Sequence, residues 1–144
     1  MSEFGTPPLS GLHHFAFTVR DLEASIAWYE RVFQAALTEG KMPHYGREWT
    51  GYAHLIIEPQ TGVTIGLHRN NGNEGEEFDE RRTGLDHLAL RVEGREGLEA
   101  WADWLDILGI AHSGIQSVTV PFQYSTIVFR DIDNIQLEVM APGV

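Results

Sequence analysis

The sequence predicts an α+β fold in which two tandem βαβββ modules pair into a cupped, half-barrel-like mixed sheet, with the helices on its convex side. An internal repeat supports this prediction, because residues 11–19 recur as residues 84–92 and place His14 and His87 at matching positions, 73 residues apart. Both copies alternate apolar and polar residues, as a half-buried strand does, and both lead into a helical pattern. Repeated modules pair their matching strands around a pseudo-two-fold axis, so residues at equivalent positions are expected to converge.

The first module is predicted at about residues 11–69. Residues 12–19 are expected to form its first strand, and Asp21 is the expected N-cap of a helix that ends near Phe33. The apolar residues of this helix recur at helical spacing on one stripe: Leu22, Ile26, Tyr29 and Phe33. Extended segments are predicted at 49–58 and 63–68, separated by the turn sequence Pro-Gln-Thr-Gly.

The second module is predicted at about residues 84–141 and repeats this order. Strand 86–92 precedes a helix that ends at Gly109, and the apolar stripe of that helix is Leu98, Trp101, Leu105 and Leu108. Extended segments are predicted at 110–113, 117–121, 124–130 and 135–139. Each module has one sheet face covered by its helix and one bare, so two modules must pair to close a core or a cup.

The modules are joined by residues 70–83, which are polar and aperiodic. This connector is predicted to be a mobile, solvated loop, with a flap over a site as the alternative. A chain of 144 residues fits one domain, which we expect to span residues 1–144.

Composition limits the partners of the chain. The formal net charge of −11 disfavours binding to nucleic acid or to an anionic membrane surface. The absence of cysteine excludes disulfides and thiolate ligands and is compatible with the cytoplasm. The first eight residues lack the pattern of a signal peptide, and no stretch reaches the roughly 20 apolar residues of a membrane span. We expect a cytoplasmic protein that binds a small molecule.

Two stretches of the sequence resemble a known family. Residues 12–29 follow the pattern Leu-x-His-x-x-x-x-Val-x-Asp-Leu-x-x-Ser-x-x-Trp-Tyr, and residues 129–138 read Phe-Arg-Asp-Ile-Asp-Asn-Ile-Gln-Leu-Glu. Both are similar to signatures of the vicinal oxygen chelate superfamily, although Ile132 stands where proline is usual. This superfamily contains glyoxalase I, extradiol catechol dioxygenases, fosfomycin and bleomycin resistance proteins, and methylmalonyl-CoA epimerase. The resemblance spans about residues 11–140 and implies the fold without naming one reaction.

In metal-using members of this family, the ligands come from the first and last strands of each module. By position they correspond here to His14, Gly66, His87 and Glu138. Gly66 has no ligand atom, which departs from glyoxalase I. The resemblance therefore implies one divalent metal ion (Fe, Mn, Ni, Co or Zn) at His14, His87 and Glu138, a ligand set that iron(II) oxygenases commonly use. Strand alternation is expected to direct these three side chains into the cup, and to direct His13 to the opposite face.

Further polar side chains are candidates for the cup. His68 lies two residues beyond Gly66 on the same face, where it can replace the missing ligand, transfer a proton, contact substrate, or serve only the structure. Tyr52 and Tyr124 match at an offset of 72, and simple packing is the alternative for both. The predicted catalytic residues are His68 and Tyr124, and the predicted substrate-binding residues are Tyr52, His54 and His112.

These features favour a metal-dependent enzyme that chelates a small substrate through vicinal oxygens, as a dioxygenase, an isomerase or a lyase. The alternative is a metal-free protein that sequesters a ligand, as bleomycin resistance proteins do, and the acidic charge suits a cationic ligand. Gly66 disfavours a true glyoxalase I. We expect a homodimer, because family members often assemble modules across subunits. The sequence leaves open whether the cup closes within one chain or between two.

Overall fold

The computed structural model describes residues 5–144. The first module contains β1 (His14–Thr18), α1 (Leu22–Phe33), β2 (Ala36–Leu37), β3 (Met42–Pro43), β4 (Gly51–Ile57) and β5 (Thr64–Asn70). A short 3-10 helix at Glu48–Thr50 precedes β4. The second module contains β6 (His87–Arg91), α2 (Gly94–Leu108), β7 (Gln116–Val118), β8 (Tyr124–Arg130) and β9 (Gln136–Pro142).

Each module forms its own sheet. The strand order is β1-β5-β4-β2 in the first sheet, where β3 also pairs with β4, and β6-β9-β8-β7 in the second. β1 runs parallel to β5 and β6 runs parallel to β9, while the other pairs are antiparallel. β1 and β6 are therefore the matching edge strands of two open, mixed sheets. The predicted α+β fold of two repeated modules is confirmed.

The predicted helix ends at Asp21 and Gly109 are also confirmed. The carboxylate of Asp21 accepts a hydrogen bond from the Ala24 amide at 3.0 Å and so caps α1. Gly109 adopts the left-handed conformation (φ 70°), which lets its amide bond back to the last turn of α2. No helix in the described part of the chain is long and apolar enough to cross a membrane.

One hydrophobic core joins the two modules. Both predicted apolar stripes contribute buried residues to it, namely Leu22, Tyr29, Phe33, Leu98 and Leu105. Trp101 of α2 lies between Phe33 of α1 and Phe129 of β8, with ring centroids 5.7 and 6.4 Å away. Burial of these large aromatic surfaces stabilises the contact between the modules.

The turn between β8 and β9 also binds the first module. The Tyr29 hydroxyl donates to the buried Asp131 carboxylate at 2.7 Å. The Arg20 guanidinium pairs with Asp133 at 2.7 Å, and the Ser25 hydroxyl donates to the other oxygen of Asp133. Burial raises the pKa of Asp131, and burial next to that carboxylate raises the pKa of Tyr29 well above its usual value. The two aspartates of this motif therefore join the modules.

The connector between β5 and β6 is anchored to the second module. The Phe78 amide donates to the Asp133 carbonyl at 2.8 Å, and the Asn134 side chain donates to the Phe78 carbonyl at 3.1 Å. Arg130 makes two hydrogen bonds to Glu80, of 2.8 and 3.1 Å, which lower the pKa of Glu80 to about 2. The centre of the connector is thus held in place, unlike the free loop that its polar sequence predicts.

The repeat offset changes by one residue between the strands. Ile56 of β4 and Phe129 of β8 match at an offset of 73, and both are buried. Their partners in the neighbouring strand, Ile65 and Leu137, match at an offset of 72. The extra residue of the first module therefore lies in its β4–β5 turn. As a result, residues of β4 match residues of β8 at an offset of 73, while residues of β5 match residues of β9 at an offset of 72.

Candidate metal site

Strand pairing defines two faces of each sheet, because residues paired across neighbouring strands point to the same side. In the first sheet, one face contains Ile65 and Leu67, which are buried in the core. The opposite face, which we name the open face, contains His14, Gly66 and His68. In the second sheet the open face contains His87, Tyr124, Thr126 and Glu138.

His87 and Glu138 lie side by side on the open face of the second sheet. The β6–β9 register places Ala89 opposite Glu138 and His87 opposite Gln136. The Nε2 atom of His87 is 3.8 Å from Oε1 of Glu138, and its Nδ1 atom is 2.6 Å from Oδ1 of Asp86. A carboxylate at Nδ1 orients the ring and leaves Nε2 free, which is the usual environment of a metal-bound histidine. Asp86 is not a predicted site residue, although its place directly before a candidate ligand is a usable signal.

Glu138 is held by neutral donors. Gln136 donates to its Oε1 atom at 3.0 Å, and the Thr126 hydroxyl, which is 3.2 Å from the Val139 carbonyl, is also 3.4 Å from its Oε2 atom. The Glu138 side chain is only 12% exposed. Arg130, on the same face of the sheet, is paired with Glu80 instead. Within residues 5–144, Glu138 has no ion pair with lysine or arginine, so its carboxylate stays available to a bound cation.

The open face of the first sheet presents a pair of stacked histidines. The rings of His68 and His44 have centroids 4.8 Å apart and planes inclined by 22°. Burial lowers the pKa of His68, and the neighbouring His44 and His14 lower it further. A lowered pKa favours the neutral ring, which a proton acceptor or a metal ligand requires. His44 is not a predicted site residue, because no strand or helix pattern in residues 40–50 indicates which side chains point inward.

His13 contacts His14 and does not face away from it. The two Nδ1 atoms are 2.8 Å apart, and the rings meet edge to face. The predicted opposite orientation is wrong because β1 begins at His14, so the alternation of a strand does not extend to His13. His13 occupies the position that Asp86 has in the second module, 73 residues later. The Nδ1 atom of His14 therefore meets an imidazole, whereas that of His87 meets a carboxylate.

Gly66 lies where a ligand side chain has no room. A Cβ atom added to Gly66 is 2.9 Å from the Cβ atom of Ala16 and 3.5 Å from a methyl group of Leu55. Close packing of β1 against β5 thus prevents a fourth ligand at this position. In the second sheet, the equivalent position beside Ala89 accommodates the whole side chain of Glu138.

The two open faces do not provide one complete metal site within the described chain. Among residues 5–144, no group of three or more His, Cys, Asp or Glu side chains is arranged to hold a metal ion. The structure brings His87 to Glu138, but it does not bring His14 to that pair. Each sheet thus contains one part of the candidate site, which we call a half-site. We name His14, His44 and His68 the first half-site, and Asp86, His87 and Glu138 the second half-site.

Tyr52 and His54 lie on the core face of the first sheet. The β4–β5 register places His54 opposite Leu67, which is fully buried, and places Ala53 opposite His68. Tyr52 and His54 alternate with Ala53, so both point away from the face of His68. The prediction that they line the cup is therefore wrong. Their rings are 5.9 Å apart, and Tyr52 packs against the core.

Tyr124 lies on the open face of the second sheet, as predicted. Tyr124 and Thr126 are two residues apart in β8 and so point to the same face, and the Thr126 hydroxyl is 3.4 Å from Oε2 of Glu138. The expected match between Tyr52 and Tyr124 does not hold, because β4 follows the offset of 73 and Tyr52 corresponds to Ser125. A single extra residue in one turn thus separates two tyrosines that the sequence aligns.

His112 is held by hydrogen bonds near the end of α2. The Gly114 amide donates to its Nδ1 atom at 3.1 Å, so Nε2 carries the proton and donates to Asp106 of α2 at 3.1 Å. The His112 side chain is 11% exposed. Its hydrogen bonds go to the helix end and not to either half-site, so the structure does not bring it together with the other predicted site residues.

Comparison with known proteins identifies the family. The model of the Glyoxalase/Bleomycin resistance protein/Dioxygenase superfamily matches residues 11–139. The chain belongs to this superfamily. The match includes both modules and the connector, and it confirms the resemblance that the two sequence motifs indicate.

Solved structures of this superfamily share the fold. A glyoxylase/bleomycin resistance protein/dioxygenase domain from Frankia sp. EAN1pec is 33% identical, with a TM-score of 0.78 over 94% of this chain and 99% of that chain. The fosfomycin resistance protein FosX from Listeria monocytogenes is 19% identical, with a TM-score of 0.67 over 95% of this chain and 94% of that chain. A FosX mutant was crystallised with Mn(II) and 1S,2S-dihydroxypropylphosphonic acid. The likeness to FosX shows the fold alone. Comparison with curated proteins yields no significant match.

Proposed function

We propose that this member of the superfamily is a divalent-metal-dependent enzyme that acts on a small molecule with two vicinal oxygen atoms, as a dioxygenase, an isomerase or a lyase. His14, His87 and Glu138 are the proposed metal ligands. A divalent metal supplies Lewis acidity to the oxygens that it chelates and lowers their pKa. Imidazole and carboxylate ligands suit Fe, Mn, Co, Ni and Zn, so the proposal includes all five metals.

The arrangement of Asp86, His87 and Glu138 supports metal binding most directly. Asp86 fixes the His87 ring at 2.6 Å, and the free Nε2 atom is turned towards Glu138. The Glu138 carboxylate is largely buried among neutral donors, an environment that is costly for a charge without a counter-ion. A divalent cation between His87 and Glu138 would offset that cost.

The third ligand, His14, is proposed to come from a second copy of the chain. A two-fold axis that brings the first half-site of one chain to the second half-site of the other creates two equal sites per dimer. Exposed apolar side chains suit such an interface: Tyr45 and Trp49 between β3 and β4, and Val120 and Phe122 between β7 and β8. The expected homodimer would then complete the metal site.

His68 is the proposed proton acceptor of the reaction. It shares the open face with His14, and its lowered pKa favours the neutral form that accepts a proton. Tyr124, on the open face of the second sheet, is the proposed proton donor or substrate contact. In the proposed dimer these two groups approach the substrate from different chains.

A metal-free protein that sequesters a cationic ligand is the second candidate. A cavity of about 730 Å³ lies between β1, the connector and the start of β6. Its lining contains more carboxylates than guanidinium groups: Glu74, Glu76, Glu77, Asp79, Asp86 and Asp133 against Arg20 and Arg82. A cavity with this balance of charge attracts cations.

Metal analysis separates the two candidates. We expect the purified protein, incubated with Fe(II), Mn(II), Co(II), Ni(II) or Zn(II) and then desalted, to retain about one metal ion per chain. His87→Ala is expected to abolish retention, whereas His112→Ala is the matched control and is expected to retain the metal. Native protein that retains none of the five metals contradicts the enzyme proposal and favours the ligand-sequestering protein.

A further inference from the structure

His44 carries a buried nitrogen atom without a partner. The residue is 9% exposed and lies between β3 and the short 3-10 helix. Its Nε2 atom is shielded from solvent and has no hydrogen-bond partner within residues 5–144. An unpaired buried polar atom costs the free energy of a missing hydrogen bond, so each such atom in a folded protein needs a reason. A ligand that pairs with Nε2 would provide one.

The other ring nitrogen of His44 determines what kind of partner Nε2 needs. The Nδ1 atom is 2.6 Å from Oγ1 of Thr50. The Thr50 hydroxyl is 2.7 Å from the Arg47 carbonyl, and we infer that it donates there and accepts a hydrogen bond from Nδ1–H of His44. In the neutral ring, Nε2 then has no proton and presents a lone pair. The missing partner is therefore a hydrogen-bond donor.

The location of His44 places this acceptor in the first half-site. Its ring stacks on His68, which shares the open face with His14. We propose that Nε2 of His44 accepts a hydrogen bond from a substrate hydroxyl group that is not one of the two metal-bound oxygens. This inference rests on the proposed function, because it assumes that the metal-bound oxygens lie at His14. The substrate class is then a small molecule with vicinal oxygens and a third, adjacent O–H group.

Binding at Nε2 requires a local rearrangement, because this atom is shielded from solvent in the ligand-free protein. The substrate hydroxyl then supplies the hydrogen bond that His44 lacks in the ligand-free protein. His44 is in this way a specificity-determining residue, which distinguishes substrates by one donor group and does not bind the metal.

The tautomer is tested first, by nitrogen NMR of isotope-labelled histidine in the ligand-free protein. We expect the Nε2 resonance of neutral His44, assigned by its loss in His44→Phe, to have the shift of an unprotonated nitrogen. Thr50→Val removes the acceptor of Nδ1–H, and we expect it to produce a mixture of both tautomers. A neutral His44 ring that is protonated at Nε2 in the native protein overturns the inference.

Binding is tested by calorimetry on the Zn(II)-loaded, full-length protein without oxygen. Catechol offers two vicinal hydroxyls, pyrogallol adds a third O–H beside them, and 3-methoxycatechol adds an oxygen without a proton. We expect pyrogallol to bind about fivefold more tightly than 3-methoxycatechol, because one net hydrogen bond is gained. His44→Phe is expected to abolish this preference. His44→Gln retains an acceptor oxygen and is expected to keep part of the preference.

The outcomes separate this inference from the proposed function. A native protein that holds Zn(II) but does not prefer pyrogallol overturns the inference alone. A preference that is unchanged in His44→Phe does the same. A protein that takes up no metal, as measured on the same sample, overturns the proposed function and this inference with it. If His44→Phe does not fold, His44→Gln and the native tautomer still decide the question.

Discussion

The two modules share their strand positions but differ in the chemistry of their open faces. Where the second module has Glu138, the first has Gly66, and where the second has Asp86 before its candidate ligand, the first has His13. The first module has instead a stacked pair of histidines. Duplication thus provides equivalent positions, and the residues at these positions have since diverged. We infer that the second module contributes most of the metal affinity, and the first module most of the substrate contacts.

The largest effect, on metal affinity, is expected at the side chains that contact Nδ1 of the candidate ligands His87 and His14. Asp86→Asn removes the carboxylate at Nδ1 of His87, and we expect it to weaken Zn(II) affinity about 10- to 100-fold. His13→Asn, at the equivalent position of the first module, is the matched control and is expected to change the affinity little. Competition with a chelator measures both dissociation constants. Equal losses in the two variants would contradict the proposed division between the modules.

The next prediction concerns the position where the modules differ most. Gly66→Ala places a Cβ atom 2.9 Å from that of Ala16, and we expect it to lower the free energy of unfolding by about 1–3 kcal/mol. Combining it with Ala16→Gly removes the clash and is expected to restore most of the loss. Denaturant titration measures all three proteins. If Gly66→Ala alone were as stable as the native protein, packing would not exclude a ligand side chain at this position.

A smaller effect is expected at the contact between the modules. Tyr29→Phe removes the hydrogen bond to the buried Asp131 carboxylate, and we expect a loss of about 1 kcal/mol in the free energy of unfolding. A denaturant midpoint that does not shift in Tyr29→Phe would mean that the Tyr29–Asp131 contact does not hold the modules together.

The smallest expected effect is a lowered pKa of His68, in the first module. In the metal-free protein, NMR is expected to show the pKa of His68 below 6.5, because burial, His44 and His14 all lower it. Folding therefore favours neutral His68, so this contribution to stability is present above pH 6.5 and is lost as the pH falls through the lower pKa of the folded state. His44→Phe is expected to move the pKa towards 6.5, and His112→Phe is expected to leave it in place. A native pKa above 6.5 would contradict the burial of this ring.

Local patterns in the sequence were sufficient to predict the fold. Strand alternation and helical spacing are dictated by burial, and both recur in each copy, so both helices and the strands other than β2 and β3 lie close to their predicted positions. The two-residue strands β2 and β3 were not predicted, because they are too short for any periodicity. The anchored connector was not predicted either, since the partners of Phe78 and Glu80 lie about 50 residues further along the chain.

The candidate site shows where such patterns stop being informative. The alternation of side chains along a strand correctly places His14, His87 and Glu138 on open faces. It fails for Tyr52, because one extra residue in a turn reverses the face without leaving a signal in the strand itself. No local pattern indicates the loop residue His44, or the separation of the two half-sites, because both depend on how the modules pack against each other.

Complementation between two variants tests the central claim, that two chains share each metal site. His14→Ala and His87→Ala are each expected to retain no metal when purified alone. Mixed dimers, formed by unfolding and refolding the two variants together, contain one intact site out of two if the site is shared between chains. Random mixing then predicts about one metal ion per four chains. A refolded mixture that forms dimers but retains no metal would contradict the shared site.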